Sequence, residues 1–316
     1  MFSEWTATTA ASTHSDSVLE HPVGGAAGIV DALVHAVQRN ASVVRTSAPV
    51  DKILVEGAGD ARRAVGVRLK SGEKVMAKEG VISNVSSLDF PSLFSDEARE
   101  PTAAKSADTP MCPSFMHLHL AIELTPAVRA KIPYALEANY VSVEDWSRGI
   151  ASPDNVVLVS VPTVLEPGRA PDGFAVVHAY TPATEPYAAW AGLRPGTAAY
   201  DAKKAERSAV LWRAVARIFG QDVRDLAHVK LVGTPRTHER FLNRKFGSYG
   251  PMVDAAQSPL TLPLPQSTTA IHGVWSVGDS AFPGIGVPAT AASAWLAANA
   301  FGDVREHAAI LKNIGL

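Results

Sequence analysis

The sequence predicts an α/β protein, because segments with strand patterns and segments with helix patterns are interspersed along the chain. Apolar residues alternate strictly over 114–122, which is typical of a half-buried strand. Apolar residues recur at helical spacing over 198–219, and an Ala-rich run after 287 also favours helix. The 316 residues, 47% of them hydrophobic, suffice for a sizeable core in one large domain or two ordinary ones.

Composition excludes several classes of protein. The formal net charge of -2 provides no electrostatic footprint for nucleic acid. A single cysteine, Cys112, excludes an internal disulfide framework and a cysteine-based zinc site. No uninterrupted apolar run is long enough to predict a membrane-spanning helix. Residues 1–21 show neither a signal-peptide nor a transit-peptide pattern, and we expect them to be weakly structured.

The first part of the chain predicts a helix followed by a β-meander. Three glycines, Gly24, Gly25 and Gly28, match a dinucleotide-binding motif only weakly, since no buried strand precedes them. Over 85–110 the sequence is helical or irregular. The predicted elements are a helix at 26–38, strands at 43–45 and 48–56, a hairpin of 64–69 and 74–77 around Ser71-Gly72, and a short strand at 81–84.

A second block predicts a sheet and a long helix. In the helix, Leu211, Val215 and Ile218 form an apolar stripe, and the opposite face should be solvated. The run 233–250 lacks periodicity and is predicted to be a loop, either a site or a solvated connection. The sheet strands are 114–122, 139–143, 156–161, 174–180 and 228–232, the helix is 198–219, and its solvated residues are Lys203, Lys204, Glu206 and Arg207.

Two histidines, His117 and His119, share one face of the first strand of this sheet. A His-x-His pair occurs in metal sites, but a site needs a third ligand of suitable geometry, and none is identifiable from spacing. A cavity wall or a satisfied polar pair is the favoured interpretation, so no metal site is predicted. Catalytic side chains stay unassigned, because Glu123, Arg148 and Glu185 are better explained as surface charges.

Near the C-terminus, a predicted strand at 274–277 leads through a glycine- and proline-rich loop into a helix from about Val287. Such a loop exposes backbone amides at a helix N-terminus, where they favour an electron-rich ligand. Asp279 would stand at the strand end, where its carboxylate can accept hydrogen bonds from ligand hydroxyls. The alternative is a glycine/proline loop that simply precedes a core helix.

The residues Gly278-Asp-Ser-x-x-Pro-Gly-x-Gly-x-Pro288 resemble the FAD-contacting segment of the carotenoid desaturase and isomerase family of flavoproteins. The resemblance implies that Asp279 binds the ribityl chain and that the loop backbone lies beside the isoalloxazine ring. It also implies contacts of Val50 with the adenine, and of Asn84 and Gly25 near the cofactor. The implied FAD-binding residues are Gly25, Val50, Asn84, Gly278, Asp279, Gly284, Ile285, Gly286, Val287 and Pro288.

Further stretches resemble the isomerase branch of this family, namely 112–120, 145–149, 178–187 and 233–241. The resemblance implies the distal half of a glutathione-reductase-type FAD-binding domain with an inserted substrate domain of mixed sheet and helix. The expected division is an N-terminal segment 1–21, FAD-domain segments 22–104 and 261–316, and a substrate domain 105–260. The family's N-terminal βαβ unit has no counterpart here, which predicts a C-terminal portion of a longer protein or a truncated product.

The implied activity is cis-trans isomerisation of a carotenoid polyene, of the prolycopene to all-trans-lycopene type, with reduced FAD. The alternatives are an FAD-dependent desaturase or oxidoreductase on the same scaffold, and a non-catalytic remnant. An apolar substrate implies peripheral membrane contact, with Trp146, Trp190 and Phe241 as candidate surface residues, although each of them taken singly is better explained as a core residue. The family implies a plastid membrane in a photosynthetic eukaryote, and otherwise the cytoplasmic face of a membrane.

Overall fold

The computed structural model describes residues 21–96, 111–250 and 269–313, and these form parts of two compact units. The first unit comprises 1–48 with 254–261, and the second comprises 49–253 with 262–316. Most of the predicted N-terminal segment therefore lies outside the described residues. In the first unit, helix α1 (Gly25–Arg39) confirms the predicted helix and begins after Gly24, whose φ is 85°.

The strand predicted at 43–45 is wrong. These residues have no regular secondary structure, and the structure pairs them with no strand in the described part of the chain. Val43 is 78% exposed and Val44 is 45% exposed. Two adjacent valines favour strand locally, but a strand needs a partner and an apolar surface to cover, and the first unit provides neither within 21–48.

The predicted β-meander is present as a three-stranded antiparallel sheet of order β1-β2-β3. Its strands are β1 (Val50–Glu56), β2 (Arg63–Leu69) and β3 (Lys74–Met76). Gly72 has a φ of 90° in the turn between β2 and β3, a conformation that glycine adopts without steric cost. The hairpin prediction around Ser71-Gly72 is therefore confirmed.

A short parallel pair joins two parts of the chain that are distant in sequence. Strand β4 (Val81–Ser83) pairs with β10 (Val274–Ser276), so that Val81 lies opposite Val274 and Ser83 opposite Ser276. A small core packs between this pair and the meander. At its edge, Lys52 Nζ donates hydrogen bonds to the backbone oxygens of Ser92 and Phe94. The buried residues of this core are Ile53, Ala64, Phe90, Phe94, Ile271 and Val274.

The larger part of the second unit is a five-stranded antiparallel sheet of order β6-β7-β8-β5-β9. One face packs on the long helix, and alternate residues of the central strand, Leu118, Leu120 and Ile122, are almost fully buried. The opposite face carries His117 and His119. The strands are β5 (His117–Glu123), β6 (Asn139–Val143), β7 (Val156–Ser160), β8 (Phe174–Tyr180) and β9 (Ala227–Gly233), with the one-turn helix α2 (Pro126–Arg129) after β5.

Helix α3 (Ala198–Phe219) has the predicted bounds, and both ends have local causes. The side chain of Thr197 accepts a hydrogen bond from the amide of Tyr200 at the N-terminus. Gly220 ends the helix in the left-handed conformation, with a φ of 65°. The predicted stripe packs on the sheet, since Leu211 and Val215 are fully buried and Ile218 packs against the same core.

A buried charge cluster corrects two predictions about surface residues. Glu185 is only 1% exposed and accepts hydrogen bonds from Trp190 Nε1 at 2.7 Å and from Arg207 Nη2 at 2.7 Å. Arg207 also pairs with Asp154. Glu185 and Arg207 were both expected to be solvated. Glu185 is instead buried, and because a buried carboxylate requires a paired charge, Arg207 on α3 turns to it.

Glu123 and Arg148 are exposed charged residues, as predicted, whereas Trp190 is buried. Glu123 pairs with His228 at the surface, and Arg148 is exposed and donates to the backbone oxygen of Pro153. Trp190 is fully buried beside Glu185, so it is a core residue and is excluded from a membrane interface. Its indole N–H finds a partner in the carboxylate, as buried tryptophans usually require.

Part of the predicted loop 233–250 is instead helix α4 (Pro235–Leu242). Thr234 and Thr237 form a reciprocal capping box, in which each side chain accepts a hydrogen bond from the other residue's amide. Pro235 fits the first position of the helix, where no amide donor is needed. The capping box and Pro235 therefore favour a helix in a segment that the sequence analysis predicted to be a loop.

Two helices complete the chain, α5 (Val287–Phe301) and α6 (Val304–Asn313). The first of these confirms the helix predicted from about Val287. Over the described ranges, no helix combines the length and the apolar character needed to cross a bilayer.

We expect Glu185→Ala to destabilise the protein by about 3–5 kcal/mol, because it leaves the largely buried Arg207 without its main partner. Urea unfolding measures the change. The matched control is Glu123→Ala, which breaks an exposed pair with His228 and should cost less than about 1 kcal/mol. Equal losses in the two variants would show that the cluster around Glu185 does not stabilise the fold.

Candidate functional site

The predicted site loop follows β10, next to the end of β4. Parallel strands present their carboxyl ends at the same edge, and ligands of α/β sheets bind outside such edges. The amide of Val277 extends the pairing by donating to the Ser83 carbonyl at 2.9 Å. Asn84 therefore follows one strand just where Gly278 follows the other, as the resemblance implies for two cofactor contacts.

The loop backbone depends on glycine, because Gly278, Gly284 and Gly286 all have a positive φ. Gly278 has a φ of 97°, and an added Cβ would collide with the side-chain oxygen of Asn84. Its amide donates to Ser293 Oγ at 2.8 Å, which attaches the loop to α5. Gly286 precedes α5 with a φ of 105° and a ψ of 156°, a region that is accessible essentially to glycine alone.

Asp279 is oriented by an arginine that the sequence did not single out. Arg244 Nη1 donates to Asp279 Oδ2 at 2.6 Å and Nη2 donates to Oδ1 at 3.0 Å, with both side chains at most 15% exposed. The guanidinium carbon of Arg244 lies 5.7 Å from the ring centroid of Tyr249. No periodicity or motif marked Arg244, which belongs to the polar run after α4, so only the folded chain reveals the pair.

The loop and the start of α5 present a mixed polar and apolar surface. Ile285, Gly286, Val287 and Pro288 are exposed, and an added Cβ at Gly284 would meet no heavy atom within 4 Å. First-turn amides of a helix lack helical partners and favour electron-rich groups. A carboxylate held by one arginine retains acceptor capacity for hydroxyls. Ser280 Oγ is also buried and has no hydrogen-bond partner among the described residues. Together these donors and acceptors fit a flavin and its ribityl chain.

The remaining predicted cofactor residues, Val50 and Gly25, belong to other elements of the chain. Val50 is the first residue of β1, opposite Leu69, and is 39% exposed. Gly25 is the first residue of α1 in the other compact unit, with a φ of 63°. The structure thus brings Asn84 together with the loop that contains Gly278 and Asp279, whereas the roles of Val50 and Gly25 stay predictions.

A histidine cluster occupies the face of the five-stranded sheet that α3 does not cover. His178 on β8 lies directly opposite His119 on β5, and His117 Nδ1 and His178 Nε2 are hydrogen-bonded at 2.7 Å. Candidate ligand atoms of the three rings all lie within 4.8 Å of one another. His178 is the third histidine that spacing could not identify, because the strand register that aligns it is a property of the sheet.

The histidines of this cluster are neutral at physiological pH. Burial, together with charge repulsion from the neighbouring His238, His178 and His119, lowers the pKa of His117 to about 2. Burial, with repulsion from His119, lowers the pKa of both His178 and His238 to about 4. His238 Nδ1 is hydrogen-bonded to the Tyr249 hydroxyl at 2.8 Å, so the cluster and Arg244 share Tyr249 as a neighbour.

Comparison with known proteins identifies clear relatives, although no protein-family model matches the chain. The chain is 33% identical over 283 residues to an Arabidopsis thaliana protein named prolycopene isomerase, chloroplastic. It is 35% identical over 286 residues to prolycopene isomerase 2, chloroplastic, of an Oncidium hybrid cultivar. Each match covers 89% of this chain but only 45% and 46% of the relative. The chain therefore spans about half the length of these relatives.

Solved structures support the fold. A putrescine oxidase bound to putrescine aligns with a TM-score of 0.51 and 15% identity, covering 92% of this chain and 53% of the oxidase. A Pyrococcus furiosus protein aligns with a TM-score of 0.50 and 16% identity, covering 87% and 52%. At such identities the likeness concerns the fold alone. It confirms the α/β fold, and this chain corresponds to about half of each solved structure.

We expect Asp279→Ala to lower the free energy of unfolding by about 3–5 kcal/mol, because Arg244 would stay largely buried without its carboxylate partner. Urea unfolding of the protein without added ligand tests this. Asp222→Ala, which removes an exposed partner of Arg224, is the control and should cost under about 1 kcal/mol. A loss no larger than that of the control would mean that the pair with Arg244 does not hold the loop.

Proposed function

This chain belongs to the carotenoid desaturase and isomerase family, in its isomerase-like branch, and from that premise we propose that it serves FAD-dependent cis-trans isomerisation of a carotenoid polyene. The observation that carries the proposal is the 33–35% identity to prolycopene isomerases over 89% of the chain. The glycine loop and the Arg244–Asp279 pair support it, because their polar groups fit a flavin.

In this proposal the chain's own residues orient the cofactor and shape its surroundings. Asp279, held by Arg244, accepts hydrogen bonds from the ribityl hydroxyls, and Asn84 stands beside Gly278 at the same edge. The exposed backbone at 285–288 lies against the ring. When bound and reduced, FAD supplies electron density that lowers the order of a polyene double bond so that it can rotate, without net oxidation.

The reaction is tested with FAD, a reductant and prolycopene, with the products separated by chromatography and weighed by mass spectrometry. Isomerisation yields all-trans-lycopene of unchanged mass. Desaturation, the alternative within this family, removes two hydrogens for each double bond formed. A product of lower mass would overturn the isomerase proposal and support the desaturase.

We expect Gly286→Val to abolish flavin binding, since valine disfavours the φ of 105° at Gly286 and adds bulk beside the ring. The control is Gly168→Val, at a glycine with no heavy atom within 4 Å of an added Cβ and no restricted φ. Flavin absorption after gel filtration measures bound cofactor. Full flavin content in Gly286→Val, with circular dichroism matching the control, would remove this loop from the site.

We further propose that the protein collects its polyene at a membrane surface, since such a substrate partitions into bilayers. Trp146 is 86% exposed and Phe241 is 75% exposed, and aromatic rings settle well at lipid–water interfaces. The plant relatives are named chloroplastic, so we propose a plastid membrane as the location.

Co-sedimentation with liposomes tests this membrane contact. We expect binding that high salt does not reverse, because apolar burial is not screened. Trp146→Ser and Phe241→Ser should each release protein into the supernatant, whereas Tyr134→Ser, which changes another exposed aromatic residue, should not. Wild-type protein that stays in the supernatant would contradict the proposal and imply delivery of the substrate by a carrier.

A further inference from the structure

We propose that His117, His119 and His178 form a binding site for a divalent transition-metal ion of the zinc class, on the sheet face opposite α3. The arrangement follows from strand geometry. His117 and His119 are two residues apart on β5, so their side chains emerge on one face. His178 enters the same face from β8, directly across from His119.

The distances allow one ion to contact all three rings. Zinc–imidazole bonds are about 2.0–2.1 Å long, which places tetrahedral ligand atoms roughly 3.3 Å apart. The candidate nitrogens lie within 4.8 Å of one another, and the closest pair, His117 Nδ1 and His178 Nε2, is 2.7 Å apart. Rotations of the rings about their side-chain bonds would equalise these separations, and the ion would replace the hydrogen bond between His117 and His178.

Solvent reaches the cluster at one of its three rings. His119 is exposed, whereas His117 and His178 are partly buried, so one side of the site is accessible to water.

Two buried nitrogens without partners distinguish this cluster from an ordinary satisfied polar group. Within the described residues, His117 Nε2 and His238 Nε2 are buried and have no hydrogen-bond partner. Their rings meet edge-to-face, with centroids 4.7 Å apart. If His117 binds the ion through Nδ1, its Nε2 carries a proton that needs an acceptor, and His238 stands beside it with a free nitrogen.

Tyr249 would set the tautomer of His238 in that arrangement. The Tyr249 oxygen lies 2.8 Å from His238 Nδ1, so a proton on Nδ1 can be donated to it and leave Nε2 as an acceptor. A metal-bound histidine usually donates its second ring N–H to such an outer partner, which fixes the ring orientation. His238 is therefore assigned as a positioning residue rather than as a ligand.

The ligand set indicates the class of ion. Three neutral imidazoles without a carboxylate suit zinc, copper, nickel or iron and do not suit magnesium or calcium, which prefer oxygen ligands. Three protein ligands leave a further position for water or for a ligand atom from solution, as in open zinc sites. The site needs no flavin, so its presence can be decided independently of the proposed isomerase activity.

The test uses the chain without a polyhistidine tag, treated with chelator and then titrated with zinc and with cobalt(II), whose visible absorption reports nitrogen coordination. We expect one ion per chain in the wild type. His119→Gln and His178→Gln should each weaken binding by at least about tenfold, since even outer-shell changes typically cost ten- to a hundredfold. His228→Gln, at an exposed histidine on β9, is the control and should bind as the wild type does.

A stability measurement separates loss of the site from misfolding. His119 is exposed, so His119→Gln should unfold at the wild-type temperature when metal is absent. Zinc should raise the melting temperature of the wild type and of His228→Gln but not that of His119→Gln. The proposal is overturned if the wild type binds no ion, or if binding persists in the double variant of His119 and His178.

Discussion

The parallel pairing of β4 with β10 is the constraint on which the candidate site depends. It joins two segments that are distant in sequence and aligns Ser83 with Ser276, so both strands end at one edge. The meander on one side and α5 on the other are attached through it, by the small core around Ile271 and Val274 and by the bond from Gly278 to Ser293. This register places the side chain of Asn84 beside Gly278.

The five-stranded sheet serves two different purposes on its two faces. Its inner face is apolar and packs on α3, and this burial stabilises the domain. The other face holds neutral histidines and aromatic rings, and hydrogen bonds such as those of His117 with His178 and of His238 with Tyr249 offset the cost of burying polar groups there. Because side chains alternate along β5, the same seven residues build the core and the histidine cluster at once.

Charged groups at half-buried positions connect the elements. Glu185, Arg207 and Asp154 link the end of the β8 region, the loop before β7 and α3. Arg244 and Asp279 link the segment after α4 with the glycine loop. Since removing one partner of such a pair leaves an uncompensated charge, both clusters constrain the geometry more strictly than their small size implies. Tyr249 contacts both Arg244 of the second pair and His238 of the histidine cluster.

The sequence by itself determined the local elements and carried the family resemblance. Periodicity placed α3 at its observed bounds, and the glycine and proline pattern located the loop before α5, because backbone preferences and amphipathic spacing are local properties. It failed at 43–45, at the capped helix α4, and for Glu185 and Arg207, whose surroundings come from other parts of the chain. Only the tertiary structure paired Asp279 with Arg244 and brought His178 beside His119, because strand register and long-range packing leave no signature in residue spacing.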